Sequence, residues 1–137
     1  MKCIELALIA KERGNSPVGS LIVQHGKIIA EGIEGVKTFN DITYHSEIEV
    51  VRHATKILQT NNLSDCLLYT THEPCVMCSY VIRHHRVSSI IFGLTTGEIG
   101  GFSSKLPLLL DKTIGKWAAP PTLINGILEK ECADLIN

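Results

Sequence analysis

Leu67-Leu68-Tyr69-Thr70-Thr71 is a short, nearly continuous apolar run that leads through His72-Glu73 into Pro74-Cys75-Val76-Met77-Cys78. Such a run, apolar without strict alternation, reads as a strand buried on both faces, the kind found in sheets covered by helical crossovers. The other elements agree with an α/β layout. Ile4, Leu6, Ala7, Leu8 and Ile9 predict a first helix that Gly14 can end. Leu21-Ile22-Val23 and Lys27-Ile28-Ile29-Ala30 flank His25-Gly26, a hairpin signal because glycine readily takes the positive φ of a tight turn. Val50, Val51, Ala54, Ile57 and Leu58 recur at helical spacing and predict one buried stripe on a helix that begins near His45.

Further along, Val87 to Phe92 reads as a strand and Leu106 to Leu110 as a short helix. Thr122-Leu123-Ile124 follows as a last strand, and Ile127 to Ile136 as a closing helix. Gly97, Gly100, Gly101, Gly115 and Pro120-Pro121 mark an irregular connection of roughly thirty residues, and connections of that length are often functional.

The chemistry is concentrated in two short motifs. His45, Cys75 and Cys78 are three metal-capable side chains, and Glu47 is a carboxylate two residues beyond the histidine. Zinc favours thiolate and imidazole in a tetrahedron, and a catalytic zinc keeps one of four positions for water. Three protein ligands leave that position open, and the ion would lower the pKa of its water from 15.7 toward roughly 7. Cys75 and Cys78, at i and i+3 beside a proline suited to the start of a helix, share a face of its first turn. The positive end of the helix dipole there favours thiolates. A structural zinc would instead need a fourth protein ligand and would leave Glu47 a bystander.

Size and composition are those of a small enzyme. The 137 residues are expected to form one domain, 1–137, long enough to bury about two thirds of its unfolded surface. Hydrophobic residues make up 45% and charged residues 20%, with no apolar run long enough to span a bilayer. With no basic, cleavable leader at Met1-Lys2-Cys3, a soluble cytoplasmic protein is expected. Cys3, Cys66 and Cys132, in apolar stretches, are expected as small core residues rather than disulfide partners. A formal net charge of −1 supplies no bulk attraction to phosphate backbones.

His45-Ser46-Glu47 with Pro74-Cys75-Val76-Met77-Cys78 resembles the zinc deaminase signature H-x-E followed by P-C-x-x-C. Val18 to Val23, Asn40 to Glu47, Leu68 to Thr71 and Gly126 to Cys132 extend the likeness over most of the chain. The chain is thereby similar to the cytidine deaminase-like superfamily, with bacterial guanine deaminases and tRNA adenosine deaminases as the nearest branches. The resemblance implies a three-layer α/β/α sandwich around a mixed, mostly parallel five-stranded sheet, with Zn2+ held by His45, Cys75 and Cys78. It implies Glu47 as the group that moves protons, and the backbone amides of Ser46 and Cys75 as contacts to the reacting base or water. It makes a homodimer the expected assembly, with Tyr80 and the helix after Cys78 as interface elements.

The substrate is less legible. In the resembled guanine and tRNA adenosine deaminases an asparagine after the second strand binds the base, and the matching position in Glu31-Gly32-Ile33-Glu34 is Glu34. A carboxylate only accepts hydrogen bonds, which suits a ring edge rich in N–H donors, such as that of a purine or pterin. Glu34 facing solvent is the competing reading. His72 and Phe102 are further candidates for the substrate pocket, His72 by its place beside the zinc motif and Phe102 by analogy. A small heterocycle is therefore the expected substrate and tRNA the alternative; Lys56, Arg83, His84, His85 and Arg86 could form a phosphate patch, but basic residues clustered at a helix end are more often a solvated face that suits the dipole. A catalytically idle scaffold is the third possibility, and an intact Glu47 weighs against it.

Overall fold

The computed structural model describes residues 2–136. Five strands form one sheet in the order β2-β1-β3-β4-β5: β1 Gly19–Gln24, β2 Lys27–Ile33, β3 Cys66–His72, β4 Ser89–Leu94 and β5 Thr122–Ile124. β1 runs antiparallel to both its neighbours, whereas β3, β4 and β5 pair in parallel. The sheet is therefore mixed, with four strands in one direction and β1 opposed. The β1–β2 turn takes positive φ at both His25 (51°) and Gly26 (77°), which matches its twist to the strands it joins.

Helices cover both faces. Alternation along β1 and β2 decides which residues look which way. A Cβ on Gly32 would collide with the carbonyl of Ser46, so α3 (Ser46–Leu58) lies on that face. A Cβ on Gly19 would collide with α1 (Lys2–Glu12) on the other. α4 (Val76–His84) packs beside α3, and the short α5 (Glu129–Asp134) lies against β4 through Cys132, close to Gly93. A single turn, α2 (Val36–Phe39), lies between β2 and α3. Ile22, Leu68, Ile90 and Phe92 from the sheet meet Val50, Val51, Ala54 and Ile82 from α3 and α4 in the main core.

Three expectations shift. The buried stripe of α3 runs through Glu47, Val50, Val51 and Ala54 to the half-buried Leu58, spacings of three and four that keep to one helix face; Ile57 sits at the edge of that face, beside Val50, and is exposed. The 106–110 segment is a 3-10 turn over Leu108–Leu110 only. The closing helix begins at Glu129, because Gly126 and Leu128 both adopt positive φ and form a turn first. Cys66 and Cys132 are buried and Cys3 partly so, and all are free thiols. Among the described residues no helix is long and apolar enough to cross a membrane.

Candidate active site

β2, β3 and β4 run the same way, and their carboxyl ends open onto one edge of the sheet, the usual place for a site in an open α/β fold. Glu34 follows β2, His72 ends β3, and Thr96 follows β4. α3 and α4 begin at this edge. His45 is the N-cap of α3 and Cys75 the N-cap of α4, with Cys78 in the first turn, so the positive ends of two helices converge on the metal-capable atoms. Pro74 lies one residue ahead of the cap rather than inside the helix.

His45 Nδ1 lies 3.6 Å from Cys75 Sγ and 3.4 Å from Cys78 Sγ, and the three ligand atoms all lie within 4.8 Å of one another. Metal bonds of ~2.3 Å to sulfur and ~2.0 Å to nitrogen at tetrahedral angles put N and S about 3.5 Å apart, so both N–S distances match a zinc site. In the metal-free chain Cys75 is the thiol that ionises first. The Cys78 thiol donating to it and the neighbouring His45 outweigh its burial and bring its pKa down to about 4, while Cys78 is pushed up by that same bond and by burial. The Cys75 sulfur in turn raises His45.

Glu47 is 4% exposed and stands on the inner face of α3. Burial pushes its carboxyl up to about 7, against the lowering effects of its own backbone amide and of His45. Its Oε1 accepts from Ser46 Oγ at 3.0 Å, and Ser46 Oγ is also 2.7 Å from Ser20 Oγ, which donates to Thr70 Oγ1 at 3.0 Å. The Ser46 side chain is thus a buried strut behind Glu47, and only its backbone is left for a substrate role.

A cavity of about 270 Å3 is lined by Ser16, Val18, Glu34, His45, Glu47, His72, Glu73, Cys75, Thr96 and Ile99. Glu34 and His72 both border it. Glu34 is 7% exposed, and its Oε1 accepts from Val36 N–H at 2.6 Å, so the carboxylate does not turn out into solvent. Phe102 does not line the cavity: its ring packs edge-on against Phe92, with centroids 6.1 Å apart, and lies half-buried against the core. The irregular connection does contribute, through Thr96 and Ile99.

Two structural residues were not singled out from the sequence. Glu73, 1% exposed, holds that connection: Oε1 accepts from Thr96 N–H (3.0 Å) and Ser103 Oγ (2.6 Å), and Oε2 from Phe102 N–H and Ser103 N–H (both 2.8 Å). Burial raises its carboxyl, and these hydrogen bonds more than reverse that, so its pKa is lowered. Asn15, also buried, accepts from Lys37 and Thr38 N–H and steadies α2 beside Glu34. A buried acid next to Pro74 was the available signal for Glu73; nothing in the local sequence named its partners.

Of the candidate phosphate patch, Arg83 is turned inward, while Lys56, His84 and Arg86 stay exposed. Arg83 is 3% exposed and donates to the carbonyls of Leu108 (2.7 Å), Asp111 (2.8 Å) and Ala118 (3.2 Å), with its guanidinium 4.7 Å from the Trp117 ring centre. His84 Nδ1 accepts from Trp117 Nε1, and Arg86 donates to the Lys116 carbonyl. These side chains serve the irregular connection, whose carbonyls have no strand or helix to pair with.

Comparison with known proteins agrees with this geometry. Residues 1–94 match the cytidine and deoxycytidylate deaminase zinc-binding region. The tRNA-specific adenosine deaminase of Aquifex aeolicus is 36% identical over 115 residues, covering 82% of this chain and 76% of that one. The guanine deaminase of Bacillus subtilis is 45% identical over 76 residues, 56% of this chain and 49% of that protein. A solved structure from work on tRNA:A34 deaminases superposes with a TM-score of 0.88 at 29% identity, covering 97% of this chain and 94% of that one. The chain belongs to the cytidine and deoxycytidylate deaminase family. It is a zinc-dependent hydrolytic deaminase, and His45, Cys75 and Cys78 form the group that suits the ion.

Proposed function

We propose that this enzyme removes the exocyclic amino group of a small heterocycle, a free purine-like base or a related ring, and releases ammonia. Bound zinc, with His45, Cys75 and Cys78 as its ligands, would supply a Lewis acid that acidifies water toward neutrality. Glu47 is the group that moves protons. Its carboxylate takes one from the attacking water, passes it to the ring nitrogen beside the reacting carbon, and delivers the next to the departing amine. A C–O bond forms, a C–N bond breaks, and the net reaction consumes one water per ammonia.

The observation that carries the choice of substrate is Glu34, a nearly buried carboxylate bordering the same cavity as Glu47. It accepts hydrogen bonds and donates none. Adenine joined to ribose starts with N–H groups only on the amine that leaves, so the ring of the bound substrate offers Glu34 no N–H. A free base or a lactam ring keeps an N–H for it. The cavity, a little below the usual range for ligand pockets, suits a single ring system.

Deamination of adenosine in tRNA is the second reading, favoured by the relatives that carry that name and by the close superposition. The surroundings of the cavity favour it less. The adjoining hollow has Glu31, Glu34 and Glu49 against Arg13 and His53, a poor match for phosphates. A cytoplasmic homodimer is the proposed working form, with the exposed Tyr80 among the apolar residues that an interface would cover.

The test is ammonia release by the zinc-loaded enzyme from guanine, adenine, cytosine, their nucleosides, pterins and triazines, beside a tRNA anticodon stem-loop. Turnover of a free ring supports the proposal. Turnover of the stem-loop alone replaces it with the second reading. Glu47→Gln should keep its zinc and lose about 10²- to 10⁴-fold in turnover.

A further inference from the structure

Thr71 and His72 form a pair whose proton positions can be worked out. Thr71 is 1% exposed, and its Oγ1 accepts from Gly19 N–H at 3.3 Å. Its hydroxyl hydrogen then needs an acceptor, since a buried hydroxyl left without one is costly. His72 Nδ1, 2.9 Å away, is the hydrogen-bonding atom within reach of it. Nδ1 therefore presents a lone pair to Thr71, and the imidazole proton sits on Nε2. Among the described residues Nε2 has no hydrogen-bond partner, and His72 borders the cavity that holds Glu47. Burial lowers the pKa of His72 and keeps the ring neutral, so this remains a single donor and not a charge.

We propose that His72 is a specificity residue whose Nε2–H donates to a carbonyl oxygen of the substrate ring, so that the enzyme selects amino-oxo heterocycles over rings lacking the oxygen. The assignment rests on the small-ring reading above and narrows it. Glu34 accepts from a ring N–H and His72 donates to a ring C=O, and the two together describe a lactam. A hydrocarbon at position 72 would line the cavity equally well and would discriminate nothing. The Thr71 hydroxyl exists in this arrangement to hold the tautomer, much as outer partners hold the tautomer of metal-bound histidines.

The test compares kcat/KM for ring pairs that differ in the lactam, its C=O and the N–H that goes with it, guanine against 2-aminopurine and isocytosine against 2-aminopyrimidine, in the wild type and in His72→Phe, so that the Glu34 contact is common to both enzymes. Intrinsic reactivity cancels when the two ratios are divided. His72→Phe should lower kcat/KM about 10- to 100-fold on the oxo member, consistent with one lost hydrogen bond, and leave the other member within about 3-fold. Zinc content should not change, and His72→Gln, which restores an N–H, should recover part of the preference. An equal loss on both members, or no loss, overturns the assignment. Nitrogen-15 chemical shifts of His72 in the wild-type enzyme test it without any variant: a proton on Nε2 supports it and a proton on Nδ1 overturns it. Failure of the wild type to deaminate any free ring would overturn both this assignment and the small-ring reading, whereas turnover with an unshifted ratio would overturn the His72 role alone.

Discussion

Ser103 gives Glu73 two hydrogen bonds, from its hydroxyl to Oε1 at 2.6 Å and from its backbone N–H to Oε2 at 2.8 Å. Glu73 stands two residues before Cys75, and Ser103 belongs to the irregular connection after β4. The same connection touches the metal motif directly, through Gly101 N–H to the Pro74 carbonyl and a bridge between Cys75 and Gly100. One wall of the cavity, Thr96 and Ile99, is therefore held to the helix that carries two of the three metal-capable groups.

Replacing Glu73 should show that dependence. Glu73→Ala leaves four donors unmatched and should cost about 2 to 3 kcal/mol in chemical denaturation of the zinc-loaded enzyme. Glu73→Gln has nearly the same shape, but its NH2 faces two donors and should lose almost as much. KM should rise more than kcat falls, because the wall moves while Glu47 stays in place. A Glu73→Gln protein as stable as the wild type would refute this account.

Arg83 should behave as a structural peg. Arg83→Lys cannot span three carbonyls with one ammonium, and a loss of about 2 to 3 kcal/mol is expected, with faster proteolysis within residues 105–118. Affinity for an anticodon stem-loop should not change. A selective loss of RNA binding with stability intact would return Arg83 to the phosphate patch.

Gly32 sets how closely α3 can approach the sheet. A Cβ there would collide with the Ser46 carbonyl and lie 2.8 Å from Val50 N, both in the helix that carries Glu47. Gly32→Ala should therefore lower zinc affinity and stability together, by about 1 to 3 kcal/mol in the latter. Gly115→Ala, which meets nothing within 4 Å, is the matched control. Metal titration and thermal unfolding of the two variants check it.

The thiols should fall into two classes. Burial pushes Cys3 up to about 12 and Cys66 up to about 11, and raises Cys132 as well. At pH 8 their thiolate fractions are then of order 10⁻³ or below for Cys3 and Cys66, and reaction with a disulfide reagent should be slow, rising about tenfold per pH unit. The zinc-loaded enzyme should show no fast thiol. Chelation should release Cys75 first, because it is partly exposed while Cys78 is buried.

Much of this protein is local and was legible in the chain itself. The His25-Gly26 turn follows from the φ that glycine allows, the apolar stripe of α3 through Val50, Val51 and Ala54 from helical periodicity, and the strand from Leu67 to Thr71 from a short continuous apolar run. The metal group was legible for the same reason: Cys75 and Cys78 meet within one helical turn, and His45-Ser46-Glu47 places a ligand and a carboxylate at the start of another. The tertiary structure decided the rest. The opposed direction of β1, the bonds from Glu73 to a loop some thirty residues away, the conversion of Arg83 from surface cation to buried peg, the withdrawal of Phe102 against the core and the tautomer of His72 all depend on contacts between distant segments. Such contacts are chosen by packing and by the need to pair every buried polar group, and neither leaves a periodic trace along the chain.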